Sequence, residues 1–204
     1  ICRVVGNAGV GKSTFINTAA AVDTLPIDQA SKIDNEVQYV ICSKPELYQD
    51  RKIVFLDIPA FDSESDEQAI QNKLRHWLRV VISRRLNISG VLYLHRATEA
   101  EFSGASLMHL TSLITMFEEL SQSPIGVLLV LTMQAHLGLL TRLQRKKVIQ
   151  EKWNTLFSLG ASQSTRFEDS SYSAWEVLID LIIYSDALAK QSSKLCLLMD
   201  YPAC

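Results

Sequence analysis

The chain lacks the features that would place it in a membrane or on nucleic acid. No stretch approaches the roughly 20 consecutive apolar residues of a transmembrane helix, and no charged-then-apolar signal segment opens the chain. With 20 basic and 22 acidic residues the formal net charge is only −2, so no overall field attracts nucleic acid or an anionic membrane surface. We therefore expect neither nucleic acid nor a membrane among its partners.

Cysteine is sparse, and its spacing is not that of a metal site. The four cysteines are Cys2, Cys42, Cys196 and Cys204. The first two lie in apolar, strand-like runs, where cysteine usually acts as a small hydrophobic residue. We expect reduced thiols and an intracellular, cytoplasmic location. Because Ile1 already falls in the first predicted strand, we also expect a domain of a longer polypeptide.

Length and hydrophobic pattern predict one α/β domain. The chain has 204 residues, of which 48% are hydrophobic, enough for a sizeable buried core. Strands are predicted at 1–5, 35–43, 51–57, 90–94, 126–131 and near residue 166, and helices at 12–22, 66–87, 103–120, 141–157 and 173–190. This alternation predicts a three-layer domain: a mostly parallel sheet, helices on both faces and one antiparallel strand from the hairpin around Pro45. We assign residues 1–190 to this domain and 191–204 to a C-terminal apolar tail.

The segment between the first predicted strand and helix carries the clearest chemistry. It reads Gly6, Asn7, Ala8, Gly9, Val10, Gly11, Lys12, Ser13 and Thr14, which fits the pattern G-x-x-x-x-G-K-[ST]. Glycines let successive backbone N–H groups point inward around phosphates, Lys12 adds a positive charge, and the Ser13 hydroxyl can ligate Mg²⁺. We therefore predict that these nine residues bind a nucleoside triphosphate.

An aspartate at the end of a predicted strand complements this loop. Residues 53–56 are apolar and are followed by Asp57, and in phosphate-loop NTPases such an aspartate helps to hold Mg²⁺. Taken alone, Asp57 is equally explained as a turn residue. With the loop upstream, we predict Ser13 and Asp57 as the magnesium-binding pair. Ligands of open α/β sheets bind at the carboxyl ends of the strands, where His95 and Thr132 also fall.

Three stretches of sequence suggest a family. They are GNAGVGKSTFIN at 6–17, FLDIPAFD at 55–62 and GVLYLHR at 90–96. With them the chain resembles a fungal group of G domains related to septins and immune-associated GTPases, over nearly its whole length. The resemblance implies binding of GTP and GDP with Mg²⁺, contact of Thr132, Met133 and Gln134 with the nucleotide, and a homodimer formed through the G-domain face.

The chain departs from the family pattern at its switch positions. The glycine of D-x-P-G is replaced by Ala60, whose backbone N–H remains a candidate contact for the γ-phosphate, and Phe61 stands where a glutamine positions water. In the family a threonine of the first switch contacts Mg²⁺ and the γ-phosphate, and the corresponding position in this chain falls near Asp34. We therefore predict slow hydrolysis, at or below the ~10⁻⁴ to 10⁻³ s⁻¹ of unassisted small GTPases. The alternative is a module that binds nucleotide without hydrolysing it.

The base-binding motif is also altered. Where [NT]-K-x-D is usual, the chain reads Thr132, Met133, Gln134 and Ala135. Ala135 cannot accept hydrogen bonds from guanine, although Gln134 or His136 offer substitute polar contacts. We predict weaker guanine selectivity than in Ras-type proteins, since such a site loses its main source of discrimination.

Two residues at the end of the 90–96 stretch have open roles. His95 is a candidate for positioning the attacking water, but a hydrogen-bonded histidine at a strand end is the more common case. Arg96 either contacts phosphate or forms a surface ion pair with Glu99 or Glu101. The basic run 142–147 is interpreted as the solvated face of a helix, since Ile149 and Trp153 continue it at helical spacing.

Overall fold

A computed structural model of the chain provides the fold. It describes residues 2–7, 9–20, 31–32, 38–43, 52–57, 71–72, 74–76, 78–79, 90–99, 101–102, 104–121, 124–133, 137–156 and 164–199. For 191–199 and for several residues near the ends of elements, Asp57 among them, the description covers the backbone alone.

The described strands form one seven-stranded sheet. They are β1 (Cys2–Val5), β2 (Ser31–Lys32), β3 (Gln38–Ser43), β4 (Lys52–Asp57), β5 (Gly90–Arg96), β6 (Val127–Thr132) and β7 (Ser164–Arg166). Their order across the sheet is β2-β3-β4-β1-β5-β6-β7. Strands β4, β1, β5, β6 and β7 are parallel, whereas β3 is antiparallel to both β2 and β4. Among the described strands β3 alone runs against the others, as the predicted hairpin requires.

Four helices are defined in the described chain, three of them between strands and the fourth after β7. They are α1 (Lys12–Ala20), α2 (Gly104–Ser121), α3 (Leu139–Leu156) and α4 (Ser171–Met199). Helical residues also lie at 71–72, 74–76 and 78–79, within the predicted helix 66–87. None of the helices in these ranges is long and apolar enough to cross a bilayer.

Side chains of the central strands alternate between two hydrophobic cores. In β5, Val91 and Tyr93 enter one core, whereas Leu92 and Leu94 enter the other. The first core is closed by Leu74, Leu78, Leu110, Leu113, Met116, Phe117, Ile149 and Trp153, from the 71–79 segment, α2 and α3. The second is closed by Phe15, Ile16, Ala19, Ala174, Trp175, Val177, Leu178 and Leu181, from α1 and α4. Helices therefore cover both faces, and the predicted three-layer fold is confirmed.

Helix α4 extends beyond its predicted end. It continues to Met199, although the sequence pattern suggests an end near Lys190. No glycine or proline occurs between these two residues, so the backbone meets no residue that ends a helix. The division of the chain at residue 190 stays a prediction.

Candidate functional site

The predicted phosphate loop lies at the carboxyl edge of the sheet, between β1 and α1. Gly6, Gly9 and Gly11 have φ values of 147°, 73° and 95°, which residues with a side chain rarely adopt. At Gly6 an added Cβ would lie 2.4 Å from the carbonyl oxygen of Leu94 in β5. The loop therefore leaves the sheet at a position where only glycine fits.

Lys12 folds back onto this loop. Its half-buried Nζ donates hydrogen bonds to the carbonyl oxygens of Gly6, at 2.9 Å, and Asn7, at 2.8 Å. Lys12 is also the first residue of α1, and the first N–H groups of a helix have no partner within it. Ser13 and Thr14 follow on the first turn with exposed side chains. A cation and a helix N-terminus thus lie together, an arrangement suited to an anionic phosphate.

Aromatic packing holds α1 against the sheet. The buried ring of Phe15 packs edge-on against Phe55 of β4 and against Phe167, with ring centroids 6.1 Å and 5.0 Å apart. The Nε1 of Trp175 in α4 donates to the carbonyl oxygen of Ala19, at 2.9 Å. Val10 is buried too, with 1% exposure, so both the loop and its helix are anchored in the second core.

Thr132 joins the loop to the end of β6. Its buried Oγ1 donates to the carbonyl oxygen of Val10 at 2.9 Å, with the His95 carbonyl oxygen 3.3 Å away. The next residue, Met133, has φ of 56°, an uncommon conformation for a residue with a side chain. The chain therefore turns sharply where the base-binding motif begins, and the Thr132 hydroxyl holds the phosphate loop.

Arg96, the last residue of β5, contacts the loop from the other side. Its Nη2 donates to the carbonyl oxygen of Gly9 at 2.8 Å, and its Nη1 lies 3.4 Å from Oε1 of Glu99. The ion pair with Glu99 is one of the two that the sequence predicts. The hydrogen bond to Gly9 is not, because nothing in the local sequence relates two residues 87 positions apart.

His95 is buried, with 1% exposure. Its Nε2 lies 3.0 Å from the carbonyl oxygen of Glu99, and since a carbonyl only accepts, we assign the proton to Nε2. The ring packs on Phe102, with centroids 4.5 Å apart. Burial lowers the pKa of His95, opposed by the Glu99 hydrogen bond and charge. These contacts favour the structural interpretation of His95 over the catalytic one.

Ser13 and Asp57 lie at the same edge of the sheet. Ser13 follows the loop after β1, and Asp57 ends β4, the parallel neighbour of β1. The side chain of Asp57 lies outside the described part of the structure. A hydroxyl, a carboxylate and phosphate oxygens are hard donors of the kind that Mg²⁺ takes, so the chemistry of the pair fits this ion. Within the described residues there is no cluster of three or more His, Cys, Asp or Glu that could hold a metal.

Several predicted site residues fall outside the described residues. They are Ala8, Asp34, Ala60, Phe61, Gln134, Ala135 and His136. The expectations for the switch segments and for contacts to the base therefore stay predictions.

Sequence comparison identifies a family. The profile of the family described as "50S ribosome-binding GTPase" matches residues 2–132, about two thirds of the chain, from the start of β1 to the end of β6. No curated protein sequence matches the chain significantly.

Several solved structures have a fold similar to that of this chain. Toc33 from Arabidopsis thaliana, a dimerization-deficient mutant, has a TM-score of 0.56 at 14% identity, covering 93% of this chain and 84% of that one. SelB from Methanococcus maripaludis, in complex with the GTP analogue GppNHp, has 0.54 at 13%, covering 92% and 34%. The probable GTP-binding protein engB has 0.51 at 12%, covering 89% and 97%.

Coverage differs among these relatives. The chain spans about a third of SelB and 28% of a bacterial selenocysteine-specific elongation factor. The likeness to the solved structures, at these identities, shows the fold. The match to the family profile over residues 2–132 goes further: the chain belongs to the 50S ribosome-binding GTPase family and is a GTP-binding G domain.

Proposed function

We propose that the domain binds GTP and GDP with Mg²⁺ and hydrolyses GTP slowly, as a nucleotide-dependent switch or assembly module. The observation that carries this proposal is the loop itself. Lys12 lies on the Gly6 and Asn7 carbonyls, next to the first N–H groups of α1, a position that favours negative charge. Triphosphate oxygens would compete with those carbonyls for the Lys12 ammonium.

In this proposal Ser13 and Asp57 hold the Mg²⁺ ion, which when bound neutralises negative charge on the phosphates. Lys12 and the loop N–H groups orient the phosphates for in-line attack by water. Slow turnover is supported by the burial of His95, whose Nε2 is already paired with the Glu99 carbonyl. Phe61 in place of the glutamine supports the same conclusion.

A module that binds nucleotide without hydrolysing it is the second candidate. Ala60 and Phe61 favour it, because both replace residues that organise the γ-phosphate and the attacking water. The two candidates agree on binding and differ only in whether phosphate is released.

Nucleotide-dependent thermal stabilisation tests the proposal. The domain is heated with GTP, GDP or ATP, each with and without Mg²⁺, alongside Lys12→Ala. The matched control is Lys147→Ala, which removes an exposed lysine whose ion pair with Glu151 is 4.0 Å long. Ligand at 100 times its dissociation constant stabilises by about 2.7 kcal/mol, or about 5–10 °C for a domain of this size. We expect that shift with GTP and GDP in the wild type and Lys147→Ala, but not in Lys12→Ala.

Phosphate release then separates the two candidates. Slow release that Lys12→Ala abolishes supports the GTPase. Shifts without release support the non-hydrolysing module, and the absence of any shift that depends on Lys12 contradicts both.

We also propose a homodimer formed through the face that carries the nucleotide. The Toc33 structure with a similar fold is that of a dimerization-deficient mutant, and dimerization is described as important for the GTPase activity of Toc33. On this chain, Leu139, Leu140 and Leu143 are 72%, 76% and 60% exposed. They lie at the start of α3, which residues 133–138 join to the end of β6, so this apolar surface is at the carboxyl edge of the sheet. A second copy would remove it from water.

Within the GTPases, we propose membership of the fungal group related to septins and immune-associated GTPases. The stretch GVLYLHR that suggests it coincides with β5, Gly90–Arg96. Its arginine donates to the phosphate loop. The stretch that distinguishes this group from other GTPases thus also contacts the proposed nucleotide site.

A further inference from the structure

Side chains hold the phosphate loop by its carbonyl oxygens. Lys12 donates to the carbonyls of Gly6 and Asn7, Arg96 to that of Gly9, and Thr132 to that of Val10. Lys12 belongs to the motif itself, whereas Arg96 and Thr132 come from the ends of β5 and β6. Of these last two, Arg96 brings a full positive charge.

The Arg96 guanidinium lies close to both the carbonyl oxygen and the Cα of Gly9. The distance from Nη2 to the Gly9 carbonyl oxygen is 2.8 Å, typical of a charge-assisted hydrogen bond. An added Cβ on Gly9 would lie 3.1 Å from the same nitrogen, so glycine leaves the guanidinium just enough room. The second nitrogen, Nη1, is paired with Glu99. The arginine is therefore held at both ends of its planar group.

The chemistry of this contact extends to the phosphate side of the loop. The Gly9 carbonyl and the Val10 N–H are the two ends of one planar peptide group. A cation on the oxygen draws electron density from the group and makes its N–H a stronger donor, the cooperative polarisation of linked hydrogen bonds. It also fixes the plane of the peptide before any ligand arrives, which lowers the cost of ordering on binding.

We propose that Arg96 is a positioning residue for the nucleotide phosphates, acting through the Gly9–Val10 peptide, and that Glu99 holds its guanidinium in place. The proposal rests on the proposed function of the loop as the nucleotide site. Arg96 does not itself touch a phosphate. Its effect is therefore the same for a diphosphate and a triphosphate, because the same peptide serves both.

Substitution of Glu99 distinguishes positioning by Arg96 from a direct electrostatic attraction between Arg96 and the phosphates. If attraction at a distance were all that mattered, removing the Glu99 carboxylate would raise the local positive potential and tighten binding. If Glu99 holds the arginine on Gly9, removing it weakens binding. Glu99→Gln thus gives opposite signs for the two mechanisms.

The test is the dissociation constants of GDP and GTP for Arg96→Gln, Arg96→Lys, Glu99→Gln and the Arg96→Gln/Glu99→Gln double variant. We expect Arg96→Gln to bind both nucleotides about 10-fold more weakly, which is the scale of one partly exposed charge-assisted hydrogen bond. Arg96→Lys, which keeps a cationic donor but loses the planar group, should bind with an affinity between those of the wild type and Arg96→Gln. Glu99→Gln should bind both nucleotides about twofold more weakly, the size of an exposed ion pair. The double variant should bind them no more weakly than Arg96→Gln alone.

Controls separate positioning from general stability. Arg75→Gln removes another partly exposed arginine, whose Nη1 lies 2.9 Å from Oε2 of Glu119. This pair is remote from the phosphate loop, so the variant should bind nucleotide like the wild type. Without nucleotide, the unfolding midpoints of Arg96→Gln and Arg75→Gln should lie within about 3 °C of each other, since each loses one partly exposed ion pair and the amide introduced by Arg96→Gln can still donate to the Gly9 carbonyl.

Three outcomes overturn the inference. One is wild-type affinity in Arg96→Gln while Lys12→Ala has lost binding. Another is tighter binding by Glu99→Gln. The third is a larger loss for GTP than for GDP in Arg96→Gln, which would mean direct contact with the γ-phosphate. If the wild type binds neither nucleotide, the proposed function fails, and the inference fails with it.

Discussion

At the residue scale, His95 shows how burial changes what a histidine can do. A histidine at the carboxyl end of a strand, next to a phosphate loop, suggests a catalytic group from sequence alone. In the fold its ring is buried, it contacts Phe102 and its Nε2 is paired with a carbonyl. The position at the strand end was predictable, whereas the direction of the ring depends on the loop that packs over it.

His95 should make stability depend on pH. Burial lowers its pKa in the folded state, whereas the unfolded chain keeps the ordinary value of about 6.5. Above that value His95 is neutral in both states, so its titration does not change the free energy of unfolding. As the pH falls through about 6.5, the unfolded chain takes up a proton that the folded state refuses, so the free energy of unfolding decreases until the lowered folded pKa is reached, by at most about 1.4 kcal/mol per pH unit.

Urea unfolding at pH 7.5, 6.5 and 5.5 measures this effect. His95→Gln, whose amide can still donate to the Glu99 carbonyl, should lose that part of the pH dependence. His76→Gln, at an exposed histidine, should keep it. An identical pH dependence in the wild type and His95→Gln contradicts the prediction. GTP turnover of His95→Gln at pH 7.5 should stay within about threefold of the wild type, whereas loss of a group that positions water would cost about 10²-fold.

At the element scale, α1 and α4 are joined by one side chain as well as by packing. The carbonyl oxygen of Ala19 belongs to the last turn of α1, where helical carbonyls have no partner within the helix. Trp175 of α4 donates its Nε1 to that oxygen at 2.9 Å and is 1% exposed. The helix that presents Ser13 is thus tied down at its far end.

Removal of this bond should destabilise the domain. Trp175→Phe keeps an aromatic ring but leaves the Ala19 carbonyl unpaired and a small cavity, so we expect the free energy of unfolding to fall by about 1–3 kcal/mol. Tyr172→Phe is the control on the same helix, since Tyr172 is 66% exposed and should change stability by less than about 0.5 kcal/mol. Both are measured by urea unfolding followed by circular dichroism. A Trp175→Phe variant as stable as Tyr172→Phe would show that the bond contributes nothing net.

Much of the element order was predictable because the central strands are apolar throughout. Both β5 and β6 are buried along nearly their whole length, and such runs are legible without knowledge of the partners. Strand β2 consists only of Ser31–Lys32, and it was missed because two residues are too few to show the alternating pattern of a strand. The far end of α4 was also missed, because the apolar stretch after Lys190 suggested a separate tail.

At the scale of the whole molecule, the site is assembled by topology. Parallel pairing of β4, β1, β5 and β6 brings the ends of four strands to one edge, so the meeting of these strand ends was predictable from strand order. The contacts that complete it were not. Thr132 reaches Val10 across 122 residues and Arg96 reaches Gly9 across 87, and such pairs depend on register and rotamer, which the sequence pattern does not specify.

The same edge should mediate association of two copies. Leu140, 76% exposed near the start of α3, lies within the apolar surface that the proposed dimer covers. Leu140→Glu would bury an unpaired carboxylate there, which is costly, so we expect the dimer dissociation constant to rise at least about 10-fold. Ile183→Glu is the matched control: Ile183 is 63% exposed and lies two residues from Ser185, which contacts the starts of β5 and β6 at the opposite edge.

Sedimentation velocity over a range of concentrations, with GDP or with GppNHp, measures this association. If the γ-phosphate controls assembly, the wild type and Ile183→Glu should dimerise with GppNHp and dissociate with GDP, while Leu140→Glu stays monomeric with both. Equal association of all three proteins would exclude the start of α3 from the interface. A wild type that remains monomeric with GppNHp at concentrations near 100 µM would exclude nucleotide-driven dimerisation of this domain, and the exposed leucines would then require another partner.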